Sequence, residues 1–119
     1  MKLSNVIQLI QGQGISNSYD PDYEIKGGCG ADLMSDVLAS TQPDSILLTG
    51  LCNPQVVRTA QIADVKAIIF VRGKTPPQET IDLALQESLP LFSTPMGMFE
   101  ACGRLYEAGL PSLEGLADI

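Results

Sequence analysis

The segment KAIIFVRG (66–73) contains the unbroken apolar run Ile68-Ile69-Phe70-Val71. A strand with one face in water alternates apolar and polar residues. A strand with no polar position on either face has to be covered twice, as in a parallel sheet with helices on both sides. Two further short apolar segments, DSILLTG (44–50) and LPLFST (89–94), read as strands beside it. Helical patterns separate them. NPQVVRTAQIAD (53–64) has Asn53 at the N-cap position and Pro54 at the first helical position. TPPQETIDLALQES (75–88) places Thr75 and Gln78 at capping-box spacing and turns Ile81, Ala84 and Leu85 inward. TPMGMFEACGRLYEAG (94–109) repeats the cap-then-proline device with Thr94-Pro95 and stops at Gly109.

Upstream, GCGADLMSDVLAS (28–40) is a glycine-rich approach to a helix. Its apolar face is Leu33, Met34, Val37 and Leu38, and it ends near Ser40, before Pro43. The order from residue 31 onward is therefore α-β-α-β-α-β-α with short connections. That order predicts a single α/β domain, with a mainly parallel sheet, helices on its faces and right-handed crossovers. Residues 1–30 add a helix, LSNVIQLIQG (3–12), with Leu3, Val6, Ile7 and Ile10 on one face. Ser4 is its candidate N-cap and Gly12 its stop. Two short extended pieces follow within 14–28, around the turn Asp20-Pro21-Asp22. Residues 31–110 form the alternating core and 111–119 a tail. Leu113, Leu116 and Ile119 at spacing three fit either a docking turn of helix or a frayed end.

Composition narrows the function. The 119 residues suffice for one real core, and 45% of them are apolar. A net charge of −7 argues against a nucleic-acid surface, which needs a basic patch. No segment has the length and apolarity of a membrane span or the pattern of a signal segment, so a cytoplasmic protein is expected. The chain has no histidine, which removes Ser–His and Cys–His nucleophile pairs. Cys29, Cys52 and Cys102 are scattered, with no CxxC, and read as reduced thiols. Neither a metal site nor a cofactor is expected, and no residue is assigned a catalytic role.

The loops after the expected strands, 50–53, 72–75 and 93–95, emerge at one edge of a parallel sheet, each before a helix start. Gly50, Asn53, Arg72, Gly73, Lys74 and Thr94 are the candidate ligand-binding residues there, with Arg72 and Lys74 as the charge partners of a small anion. Against this, Asn53, Thr75 and Thr94 are good self-caps, and a cap consumes the donors an anion needs. Gly50 then serves chiefly to let the chain reverse. GGCGADL (27–33) lacks a full phosphate-loop motif, and Gly27, Gly28 and Gly30 read as permitting a tight turn or close packing. Asp32 and Asp36, four apart, read as one solvated helix face. Gly97 and Gly103 inside the last helix imply that something packs closely there, the sheet or a second copy. Met96, Met98 and Phe99 form an adaptable apolar surface beside them.

Three segments together resemble a stand-alone DRTGG-domain protein: GADLMSDVLA (30–39), ILLTGLCNPQVVRTAQIADVKAIIFVRG (46–73) and LPLFSTPMGMFEACGRLYEAGL (89–110). Related modules occur in phosphotransacetylases and in regulatory pyrophosphatases carrying CBS domains, and the fold is similar to the amino-terminal domain of HPr kinase/phosphorylase. Gly50 and Gly73 match the family pattern. Gly50-Leu51-Cys52 stands where the family commonly has Gly-Asp-Arg, and Val71-Arg72-Gly73-Lys74 where it commonly has Leu-Thr-Gly-Gly. The resemblance implies a non-catalytic regulatory or binding module that pairs as a homodimer, with a nucleotide or other anionic ligand or a protein partner. The alternative it leaves is a small accessory of a hydrogenase or iron–sulfur system, or an enzyme acting on a phosphorylated metabolite.

Overall fold

In the computed structural model, which describes residues 1–16 and 18–119, the expected alternation is present. The elements are α1 (Leu3–Leu9), β1 (Gln13–Ser16), β2 (Gly27–Gly30), α2 (Met34–Ser40), β3 (Ser45–Thr49), α3 (Gln55–Ile62), β4 (Val65–Phe70), α4 (Gln78–Gln86), β5 (Leu91–Ser93) and α5 (Met98–Glu107). The strands form one sheet in the order β1-β5-β4-β3-β2. β2, β3, β4 and β5 run parallel, and β1 joins β5 antiparallel at one edge.

Both faces of the central strands are covered. Ile46, Leu48, Ala67, Ile69 and Phe92 face α1 and α5, where Val6, Ile7, Ala101 and Leu105 complete one core. Leu47, Ile68, Phe70 and Leu91 face α2, α3 and α4, where Val37, Val56, Val57, Ala60 and Ala84 complete the other. The connecting helices α2, α3 and α4 thus lie on one face, as crossovers of one hand require in a sheet whose parallel strands follow sequence order. A register irregularity at Ser45–Ile46 sets Val65 on the same side as Ile68.

The glycine-rich segment 27–30 is the edge strand β2 rather than a loop. Its glycines are demanded by close packing. A Cβ on Gly27 would lie 2.5 Å from the Pro111 carbonyl oxygen and from Leu113 Cγ; one on Gly30 would lie 2.8 Å from Cys102 Sγ. The tail explains the first contact. The Gly28 N–H donates to Pro111 O at 2.9 Å, and the Leu113 N–H returns to Gly28 O at 2.9 Å. Residues 111–115 are therefore extended against β2 and cover the sheet edge, neither helical nor frayed. Leu116 and Ile119 beyond them are exposed.

Other local expectations change for traceable reasons. α2 begins only at Met34, so Met34 and Val37 are its buried residues while Leu33 and Leu38 are exposed. The same late start leaves Asp32 in the preceding loop, off the helix that carries Asp36. In α4, Ala84 is buried and Ile81 packs half-buried against the same core, as expected; Thr80 is buried as well, and Leu85 is exposed. α1 follows Lys2 without a side-chain cap, so Ser4 is not its cap, and its left-handed end residue is Gln11 rather than Gly12. The turn 20–23 closes as expected, with the Tyr23 N–H donating to Asp20 O at 3.1 Å. Asn17, within the first expected extended piece, lies outside the described residues.

The contact between Gly30 and Cys102 gives a direct test. Gly30→Ala overpacks that site and costs about 1–3 kcal/mol. Adding Cys102→Ala removes the opposing sulfur, so urea denaturation of the double variant recovers about 1 kcal/mol relative to the sum of the single changes.

Candidate functional site

The loops that leave β3, β4 and β5 meet at the carboxyl edge of the sheet through a continuous set of hydrogen bonds. Val71 N–H donates to Thr49 O at 3.0 Å and Thr94 N–H to Phe70 O at 2.9 Å, extending the ladder past the strand ends. Beyond Val71 the chain makes a tight turn, closed by the Lys74 N–H on Val71 O at 3.3 Å. Its two central residues, Arg72 at φ 61° and Gly73 at φ 66°, are both left-handed. Glycine takes this conformation freely, but an arginine there is strained by roughly 1–2 kcal/mol. Bonds from Arg72 N–H to Met96 O (2.8 Å) and from Gly73 N–H to Thr94 O (2.7 Å) hold the turn against the β5–α5 loop.

Thr94 is fully buried and joins distant parts of the chain. Its hydroxyl donates to Ile10 O at 2.5 Å, at the end of α1, and accepts from the Met96 N–H at 3.1 Å. It is not the cap of α5, which begins four residues later after Gly97. Gly97 is therefore outside the helix, and only Gly103 lies within it.

Gly50 also has a different role from a reversal. It does not take a positive φ. Its lack of a side chain lets two charged groups close on the backbone: a Cβ there would lie 3.3 Å from Lys74 Nζ and 3.5 Å from Asp32 Oδ1. The Gly50 N–H donates to Asp32 Oδ1 at 2.7 Å, and the Thr49 hydroxyl donates to the same oxygen at 3.1 Å. Lys74 Nζ donates to Gly50 O at 3.3 Å. The chain thus supplies its own anion, Asp32, to the first donors of this edge. No local signal marked Asp32 for that role, because its partners lie 17 and 18 residues away.

The expected self-caps do not form. Among the described residues the side chains of Asn53 and Thr75 make no hydrogen bond, and α3, α4 and α5 start without a side-chain cap. The edge therefore presents three uncapped helix N-termini, whose partial positive charge favours an anion. Arg72 and Lys74 stand exposed beside them, and neither is in an ion pair among the described residues. Arg58, in α3, is exposed as well.

The thiols are held protonated. Burial pushes Cys29, Cys52 and Cys102 above the ordinary thiol value. At Cys29 the Thr41 hydroxyl, which donates to Sγ at 3.2 Å, opposes this, and Glu114 adds to it. At Cys52 Lys74 pulls down and Asp32 pushes up, both more weakly than burial. At Cys102 Glu114 reinforces burial. No group of three or more Cys, Asp or Glu side chains is placed to hold a metal among the described residues, and no helix there is long and apolar enough to cross a membrane.

The sequence matches no family model and no curated protein. Among solved structures it is similar to the crystal structure of the CBS and DRTGG domains of the regulatory region of Clostridium perfringens pyrophosphatase, complexed with its activator diadenosine tetraphosphate. The TM-score is 0.71 at 20% identity, over 92% of this chain and 47% of that one. The chain thus spans about half the length of that structure, and at this identity the likeness is one of fold. The chain has a DRTGG-type α/β fold.

Raised thiol values mean that the thiolate, the reactive form, is scarce at neutral pH. Iodoacetamide is expected to label the folded protein more slowly than free cysteine at pH 7. The rate should keep climbing as pH passes the ordinary thiol value. Mass spectrometry of timed samples across that range checks this.

Proposed function

We propose that the chain is a non-catalytic regulatory module that works as a homodimer and responds to a small phosphorylated or otherwise anionic ligand at the carboxyl edge of the sheet. The observation that carries this reading is Arg72: an exposed, unpaired guanidinium on a strained turn, pinned by backbone bonds beside uncapped helix N-termini. Strained non-glycine residues persist where the surroundings over-determine them, and ligand clamps are among such places. Arg72 and Lys74 supply charge. Gly50, Asn53, Gly73 and Thr94 shape the edge, the N–H groups of Gly50, Gly73 and Thr94 being already bonded to Asp32, Thr94 O and Phe70 O. The protonated thiols and the missing histidine leave little machinery for covalent or acid–base catalysis at this edge, which favours binding over turnover. The similar pyrophosphatase region binds a nucleotide activator, which supports a nucleotide as the first ligand to try.

Calorimetric titration of nucleotides and sugar phosphates tests the ligand. A charge-assisted contact is worth about 1.5–3 kcal/mol, so Arg72→Ala should weaken binding roughly ten-fold or more. Binding that ignores Arg72 and disappears in Asn53→Ala would show that the β3–α3 loop holds the ligand instead.

Pairing is supported by the outer face of α5, where Phe99 is 93% and Tyr106 71% exposed, seven residues apart on one side of the helix. Large apolar groups exposed together mark interaction surfaces. Sedimentation equilibrium at micromolar concentration is expected to give twice the 12.7 kDa chain mass, and Phe99→Glu is expected to return the single chain. A wild-type sample sedimenting only at the single-chain mass sinks the dimer.

A further inference from the structure

We infer that Asp32 selects the ligand of the carboxyl edge by accepting hydrogen bonds from neighbouring hydroxyls, so that the edge takes a phosphorylated sugar, free or as the ribose of a nucleotide, in preference to a bare phosphate. This rests on the reading of that edge as an anion site and names the ligand class.

The two carboxylate oxygens of Asp32 are used unequally. Oδ1 accepts from the Gly50 N–H at 2.7 Å and from the Thr49 hydroxyl at 3.1 Å. Oδ2 accepts no hydrogen bond among the described residues, and Asp32 is exposed in the loop before α2. A carboxylate offers about four acceptor positions and no donor. Whatever replaces water at Oδ2 therefore has to bring a proton, and the lone pairs of Oδ2 suffice for both hydroxyls of a sugar diol. The two bonds on Oδ1 fix the direction of the group. Thr49 is fully buried, and its hydroxyl is held in turn by the Leu51 N–H at 3.1 Å. An acceptor fixed in advance loses little freedom on binding.

Lys74 narrows the class of donor. Its Nζ and both oxygens of Asp32 approach one point beside Gly50: a Cβ there would lie 3.3 Å from Nζ, 3.5 Å from Oδ1 and 3.6 Å from Oδ2. One small molecule can thus touch both groups. No ion pair joins them among the described residues, and Nζ donates to Gly50 O instead. An ammonium drawn to Asp32 meets Lys74. A bare phosphate drawn to Lys74 meets Asp32 as an unmatched like charge, and such repulsion is a source of specificity. A molecule with a phosphate at one end and neutral hydroxyls a few bonds away satisfies both groups. Acidic residues accept ribose hydroxyls in the same way in dinucleotide-binding α/β folds.

The test uses two pairs of probes. Adenosine triphosphate and 2′,3′-dideoxyadenosine triphosphate share base and phosphates and differ in the diol. Ribose 5-phosphate and inorganic phosphate make the comparison without a base. Each is titrated calorimetrically into the full chain in buffer free of divalent cations. The diol-bearing nucleotide is expected to bind roughly ten-fold or more tightly than its dideoxy counterpart. The same preference in the second pair extends the class to free sugar phosphates; its absence there assigns the ribose of a nucleotide. Asp32→Asn keeps an acceptor oxygen for Gly50 and Thr49 but puts an amide donor in place of Oδ2. It should weaken adenosine triphosphate and strengthen inorganic phosphate, because the repelling charge is gone. A merely structural role moves all probes the same way. Equal binding of the two nucleotides, or an asparagine variant that weakens every probe alike, overturns the inference and leaves the anion site standing. Binding of none of the four overturns the anion site as well. Should the asparagine variant fail to fold, the wild-type pairs decide, with the Gly50 amide resonance expected to move further with adenosine triphosphate than with the dideoxy compound.

Discussion

Ile46, Leu47 and Leu48 on β3 and Ile68, Ile69 and Phe70 on β4 leave no side of the two central strands for water. Burying each such side chain contributes about 1.5–3 kcal/mol, but only if both faces are roofed. One face receives α2, α3 and α4 as the crossovers pass over it. The other has to be roofed by α1 and α5, drawn from the two ends of the described chain. The location of the carboxyl edge follows, because parallel strands covered by crossover helices must send their outgoing loops to one end.

That edge is organised by internal donors and acceptors before any ligand is considered. Asp32 takes the donors of Gly50 and Thr49. Thr94 takes the Met96 N–H and gives its own proton to Ile10. The 72–74 turn is bonded into the β5–α5 loop. What stays available is the set of helix starts and the two cations beside them. The edge is thus a rigid frame with charge on its rim rather than an open loop awaiting a phosphate to order it.

The parts readable from sequence were those written in local periodicity. The central strands showed as short apolar runs, and the helices between them as alternating faces with prolines at their starts. β2 was hidden because three of its four residues are glycine, so it has no side-chain pattern to read. Asp32 was misread because a late start to α2 removes it from the helix face its spacing suggested. Asn53 and Thr75 fitted the capping rule by type, but the helices start later, with Pro54 and Pro77 at their cap positions, and no cap forms. Thr94 lies four residues before α5, whose cap position is Gly97, and its hydroxyl goes to the distant Ile10 carbonyl instead. Gly50, Arg72, Gly73, Lys74 and Thr94 do meet at one edge, as parallel topology demands.

The bond from Thr94 to Ile10 spans 84 residues, whereas the first β3–β4 partners, Ser45 and Val65, are 20 apart. Closing the longer span is roughly two doublings of loop length, about 1 kcal/mol more in chain entropy. Assembly should therefore run outward. The β3–α3–β4 unit forms early from near neighbours, and the docking of α1 and β1 against β5 comes last. In the native state, an opening that released α1 and β1 from β5 would uncover the sheet face that α1 shares with α5 and leave the β3–β4 pair standing.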